Sequence, residues 1–441
     1  MLEAPAITRK ELVGLLLTCI FVISFVPYIT KVTTATLLLG PASLILLAWL
    51  GVLFIFRRHA LQGFSALRRR RALLFIVVMP ILPTGVAIVN GDWRSVLYAL
   101  LMSATLASAQ VLLAVLNFER IVNALAQAAV VCVPLFVIDD GIAILRSAVG
   151  ASRLIPSTAQ PNAIAFIFVG FSLAGAWQLL NQKSLPIMRV VYAGTICAAV
   201  GVIFVASSRA SLLALGLAAT GAALLYAARS LKNHRTPWLL PIAFAVCVLV
   251  VLALVIARTQ LSYDIFSYVS KALALDSSQR GIDSGLSGRT IRWEISLRAI
   301  ATGGTWLLGT GYRTSGPNLG FSVDNGYLIV WYECGLVGLL LVVGQFIWIL
   351  NWCRRRYING RGLNGGGRML LGVAGFATVF LVNNFFDRYL FGLGNPFSLF
   401  GLFFLLLNRA DLDTIAKNAR RSRPALGYNK VYKWPVKENA T

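Results

Sequence analysis

With 441 residues, 58% of them apolar and only 13% charged, the chain lies far outside the composition of soluble domains and reads as an integral membrane protein. Its net charge of +24 is spread over short loops and a polar tail, so topology and contact with anionic headgroups explain it and nucleic-acid binding is excluded. Six cysteines without a CxxC pair exclude a disulfide framework and a zinc site.

Apolar runs long enough to cross a bilayer as helix recur about twelve times. They lie near 12–29, 33–56, 72–90, 95–117, 121–142, 161–181, 189–206, 210–228, 238–257, 326–352, 369–386 and 396–408. The first begins with charge but lacks a small-residue cleavage site, and so reads as a retained helix. Between the fifth and sixth runs, segment 139–160 carries Asp139-Asp140, Arg146 and Arg153, ahead of Gln160-Pro161-Asn162. A spacing of seven puts the two arginines on one face of an interfacial helix. Ser207-Ser208-Arg209 separates the seventh and eighth runs. Segment 258–323 is polar and Gly-containing, with Ser287-Gly288-Arg289 and Leu307-Leu308-Gly309-Thr310-Gly311-Tyr312-Arg313, and predicts a structured cap. Asp324-Asn325 then opens the tenth run. From Arg409 onward no apolar periodicity is evident, which predicts a disordered tail.

Most of the 40 Lys and Arg fall in the loops that would share a side with the N-terminus, including Arg68 to Arg71 and Arg354 to Arg356. By the positive-inside rule both termini are cytoplasmic, and segments 139–160 and 258–323 face outward. The expected fold class is an all-α polytopic membrane protein with a large periplasmic loop between helices nine and ten. Its expected division is a membrane domain, 1–408, and a basic cytoplasmic tail, 409–441.

An arginine near hydrocarbon costs about 2.5–3.5 kcal/mol, so Arg209 needs a reason to be there. It is either an anion site, whose guanidinium forks onto phosphate oxygens, or a snorkelling interface anchor. Arg153, Arg289, Arg292 and Arg313 converge on the same face and make it electropositive, or else serve as surface charges and partners of Glu294, Asp283 or Asp324. The only histidines, His59 and His234, lie in cytoplasmic loops, so histidine catalysis on the outer face is not expected. The acid/base candidates there are Asp324, Glu333, Glu294, Asp283, Asp276, Asp264, Asp387 and the Asp139-Asp140 pair. Asp324 leads because it begins a span; its plain alternative is a helix N-cap. Glu333 lies deeper, on a different face, and reads as the partner of a polar group inside the bundle.

In combination these motifs resemble the bacterial O-antigen ligase and polysaccharide polymerase superfamily, polytopic inner-membrane enzymes. The resemblance rests on Ser208-Arg209-Ala210-Ser211-Leu212-Leu213-Ala214-Leu215, on Gly288-Arg289 to Trp293 with Leu308-Gly309-Thr310-Gly311-Tyr312, and on Asp324-Asn325 with Gly335-Leu336-Val337-Gly338. Arg153 with Pro161-Asn162 is a fourth point, and the whole covers about residues 145–400. Ligases of this superfamily carry His, then Asn, Ser or Gln, nine residues and Gly-x-x-Gly; here Asp324 replaces the histidine and the spacing, Gly326 to Cys334, is kept. That substitution is more similar to exopolysaccharide or O-antigen repeat-unit polymerases than to ligases.

The resemblance implies a metal-independent, cofactor-free glycosyltransferase that joins undecaprenyl-diphosphate-linked oligosaccharides at the periplasmic face. It implies Asp324 and Asn325 as catalytic residues, with Arg209, Arg289, Arg153 and Arg292 holding the donor diphosphate. Membrane lipid, a chain-length regulator and a flippase of the same pathway are the implied partners. A glycan ligase and a transporter of the lipid-linked precursor are the alternatives.

Overall fold

The computed structural model describes residues 9–29, 73–149, 154, 160–180, 185–232, 289–304, 306–359, 366–388 and 396–421. The expected spans 33–56 and 238–257, both histidines, Arg153 and residues 258–288 lie outside the described residues. Among the described residues the regular structure is helical, without strands, which fits an all-α polytopic membrane protein.

The helices are α1 (Arg9–Ile29), α2 (Met79–Val89, entered through a π-helical turn at Leu74–Val78), α3 (Trp93–Leu116), α4 (Phe118–Asp139), α5 (Gly141–Val149), α6 (Pro161–Leu180) and α7 (Pro186–Val205). They continue as α8 (Arg209–Lys232), α9 (Arg289–Thr302), α10 (Ser315–Leu319), α11 (Gly326–Asn359), α12 (Gly366–Phe386), α13 (Pro396–Leu406) and α14 (Arg409–Arg421). Seven described helices are long and apolar enough to cross a membrane, namely α3, α4, α6, α7, α8, α11 and α12. Each falls on an expected run. Shorter apolar helices occupy Gly14–Val26 and Leu74–Val89, and α13 matches the short last run.

Local chemistry sets the boundaries. The Asp92 carboxylate caps α3 by accepting the Ser95 N–H at 3.2 Å. Pro186 opens α7, where its missing N–H costs nothing. Asn117 alone, at φ 63°, turns α3 into α4. α6 packs on α7 and α4, α8 on α12, α1 on α4, and α11 on α12. Between α4, α6, α11, α12 and α13 the core is aromatic: Phe380 and Phe397 stack at 4.9 Å, and the Phe118 and Phe404 rings meet edge-on at 5.2 Å. Gly170, Gly372 and Gly401 admit Phe397, Trp177 and Phe380 where a Cβ would overlap the rings. Packing of this kind, more than water exclusion, holds helices together in lipid.

Two elements depart from expectation. The segment after Arg409 is not featureless: Leu412, Ile415 and Ala416, spaced three and four apart, are buried in α14, which packs on α12 and α4. Asn408 starts it by accepting the Ala410 and Asp411 N–H groups at 2.8 and 3.2 Å, and Arg356 and Arg409 flank Asp413. The periodicity is short and embedded among charges, which hid it.

The tenth span is also not continuous. At Gly335 the backbone of α11 turns to φ 70°, ψ 179°, breaking the helix into Gly326–Cys334 and a longer second segment. The freed backbone groups are taken up by the loop after α9. Thr310 and Gly311 donate to the carbonyls of Tyr332 and Glu333 at 2.9 and 3.1 Å, and the Leu336 N–H donates to the Trp306 carbonyl at 2.8 Å. Interrupted backbone inside a spanning helix is tolerated only when partnered in this way.

Candidate functional site

The first turn of α9 carries Arg289 and Arg292, three residues apart and so on neighbouring faces. Arg289 pairs with Asp387, at the end of α12, at 3.5 Å; Arg292 pairs with Asp324, just before α11, at 3.0 Å. The two pairs differ in setting. Arg292 and Asp324 remain partly exposed, whereas the Asp387 side chain is 7% exposed.

Asp387 joins four helices. Its Oδ1 also receives the Asn162 side-chain amide of α6 at 3.4 Å, and its carbonyl accepts the Gly326 N–H, first of α11, at 2.9 Å. Close by, Asn383 of α12 donates to the Ser211 hydroxyl of α8 at 3.4 Å, and Ser208 donates to the same oxygen at 3.0 Å. These bonds bring the start of α8, and with it Arg209, to the same end of the bundle, where Arg209 and Arg289 feel each other's charge. The turn that presents Arg209 is tight: Ser207 sits at φ 51° between α7 and α8.

Of the expected site residues, the structure thus gathers Arg209, Arg289, Arg292, Asp324 and Asn325 at one end. Arg153 lies outside the described residues. The cap role considered for Asp324 belongs to its neighbour: the Asn325 Oδ1 accepts the Tyr327 and Leu328 N–H groups at 2.9 and 3.1 Å. Asp324 is left with its carboxylate outside the helix, held by Arg292 through Oδ2.

The other charges separate from this centre. Glu294 pairs with Arg298 on the exposed side of α9, and the Arg313 guanidinium lies 4.7 Å over the Tyr98 ring. Glu333 is buried and takes the Ser315 hydroxyl at 2.6 Å, so it does find a polar partner inside the bundle. Burial also pushes the Tyr312 phenol well above its ordinary value, which keeps it neutral.

Sequence reasoning named Asp387 only as one acid among several and passed over Asn162 as a side chain of its own, Asn383 and Asn384. The available signal was two buried amides and an acid closing an apolar span, with Asn383 and Asp387 one helical turn apart.

No curated protein matches the chain. Residues 194–343, which contain the Arg209 turn, α9, the docked loop and the interrupted part of α11, match the family model described as O-antigen ligase. The chain therefore carries an O-antigen ligase family domain over residues 194–343, consistent with the O-antigen ligase and polysaccharide polymerase superfamily.

Proposed function

We propose that the protein is a membrane-embedded glycosyltransferase that polymerises undecaprenyl-diphosphate-linked repeat units of the O-antigen or exopolysaccharide type. The family match supports a polymerase- or ligase-type function in the O-antigen pathway. The observation that carries the reading is the convergence of Arg209, Arg289 and Arg292 with Asp324 at one end of the helix bundle. Cations pre-set around a diphosphate stabilise the charge that grows as the glycosidic bond breaks. We place the site on the periplasmic side of a bacterial inner membrane, with both termini cytoplasmic, because the basic loops favour that orientation.

In the proposed reaction the acceptor hydroxyl attacks the anomeric carbon of the lipid-linked polymer. A new C–O bond forms, the bond from that carbon to the diphosphate oxygen breaks, and undecaprenyl diphosphate leaves with the bonding pair. Asp324 takes the hydroxyl proton, a role in which a carboxylate suffices. Attack opposite the leaving group inverts the anomeric centre. Arg209 and Arg289, with Arg292 and Arg153, bind the diphosphate, while Asn325 positions Asp324 by fixing the start of α11. Aspartate in place of the ligase histidine favours polymerisation; the family's description as a ligase favours transfer to another glycan acceptor, which is the second reading.

Incubating purified protein in detergent with lipid-linked repeat units, without ATP or a gradient, tests this reading. A ladder of lengthening lipid-linked glycan is expected. Transfer only to a lipid A core acceptor would favour the ligase, and no product with either acceptor would favour a transporter. Asp324→Asn and Arg209→Ala should each abolish the ladder without lowering protein level, and wild-type chain lengths in either variant would remove those assignments.

A further inference from the structure

The segment after α9 was expected to be part of a cap outside the membrane, yet its backbone is bonded to the interior of a spanning helix. Trp306, Leu307 and Leu308 lie directly at the Gly335 break: the Trp306 carbonyl accepts both the Leu336 N–H and the Trp331 indole N–H, at 2.8 and 3.0 Å. A Cβ on Gly335 would overlap the Leu307 carbonyl, and one on Gly309 the Glu333 carbonyl, so contact is close on both sides. Ser315, bonded to Glu333, fixes the far end of the loop.

The register of α11 gives the depth. From Leu336 to Cys353, immediately before the basic run Arg354 to Arg356, the helix is uncharged and rises about 27 Å at 1.5 Å per residue. Hydrocarbon is about 30 Å thick. With the arginines at one headgroup layer, Leu336 and the loop bonded to it reach the opposite edge of the hydrocarbon. There the side chains of Trp306, Leu307 and Leu308 are 47%, 43% and 42% exposed. A tryptophan with two leucines at this level matches the chemistry of the interface, where indole rings sit best.

We infer that Trp306, Leu307 and Leu308 form a wedge inserted into the acyl region of the leaflet opposite Arg354 to Arg356, the one nearest Arg209, Arg289 and Arg292, with bulk bilayer lipid as its partner. The wedge sets the height of α9, so that Arg289 and Arg292 are held just above the lipid surface. It stands whether the enzyme polymerises or ligates.

The test uses the full chain in vesicles whose lipids carry bromine on the acyl chains, with the Trp306 signal taken as the difference between wild type and Trp306→Phe. Strong quenching by bromolipid and weak quenching by aqueous iodide are expected. A difference signal quenched by iodide and untouched by bromolipid would overturn the wedge. Quenching by the aliphatic phase only after an isoprenyl diphosphate is added would transfer the surface to the substrate chain and equally overturn it. As an independent check, Leu307→Cys should resist a membrane-impermeant maleimide in vesicles and react after denaturation, read by peptide mass. Ready labelling in intact vesicles would refute the insertion.

Discussion

Arg289 is held by an acid that also grips α6 and α11, so the charge near Arg209 is placed by Asp387 and not by α9 alone. Removing the acid takes from Arg289 the counter-ion it has among the described residues, beside a second cation. Asp387→Asn is expected to lower the transfer rate by about tenfold or more, since charge-assisted contacts are worth roughly 1.5–3 kcal/mol. Arg289→Ala combined with Asp387→Asn should cost less than the sum of the single changes, because both act on one contact. Initial rates at varied donor concentration check both expectations, and strict additivity would separate the two residues. Arg209, Arg289 and Asp324 stood out in the sequence as candidates because charge is rare beside apolar runs. Their pairing did not, since Asp387 lies 98 positions from Arg289.

At the scale of elements, the Gly-x-x-Gly pattern acquires a physical meaning. Gly335 is the break itself, at a backbone conformation that disfavours any side chain by about 1–3 kcal/mol before overlap with Leu307 is counted. Gly335→Ala and Gly309→Ala are each expected to lower the melting temperature in detergent and to raise proteolysis of the docked loop. A change confined to activity, with melting intact, would contradict that structural role. α14 makes a second prediction at this scale. Leu412 is fully buried, so Leu412→Ala should cost roughly 2–5 kcal/mol, read from denaturant unfolding. The run 326–352 gave no hint of interruption, because glycines in an apolar span are tolerated without a break. What marks this one is the loop that bonds to it, a tertiary partner invisible to local patterning.

For the whole molecule, connectivity sorts the charges by end. α6, α8 and α11 begin, and α7 and α12 finish, at the arginine and acid cluster; Arg229, stacked on Tyr357, and Arg356, paired with Asp413, lie at the other end of α8 and α11. Alternation of hydropathy predicted these spans well, since hydrocarbon thickness fixes helix length. Reporter fusions after Arg421 and within residues 315–320 should fall on opposite sides of the membrane, the former cytoplasmic. Fusions reporting the same side would undo the proposed orientation.

The half-helix between Asn325 and Gly335 also works as a ruler. One end is fixed by the bond from the Gly326 N–H to Asp387 and by the Asn325 cap; the other is fixed by the docked loop at Glu333 and Leu336. A single inserted residue would rotate the Asp324 end by about 100° and displace it by about 1.5 Å relative to the break. Substitutions along this stretch can be absorbed by packing, whereas insertions and deletions cannot. Asp324 is therefore constrained by the length of the segment behind it as much as by its own chemistry.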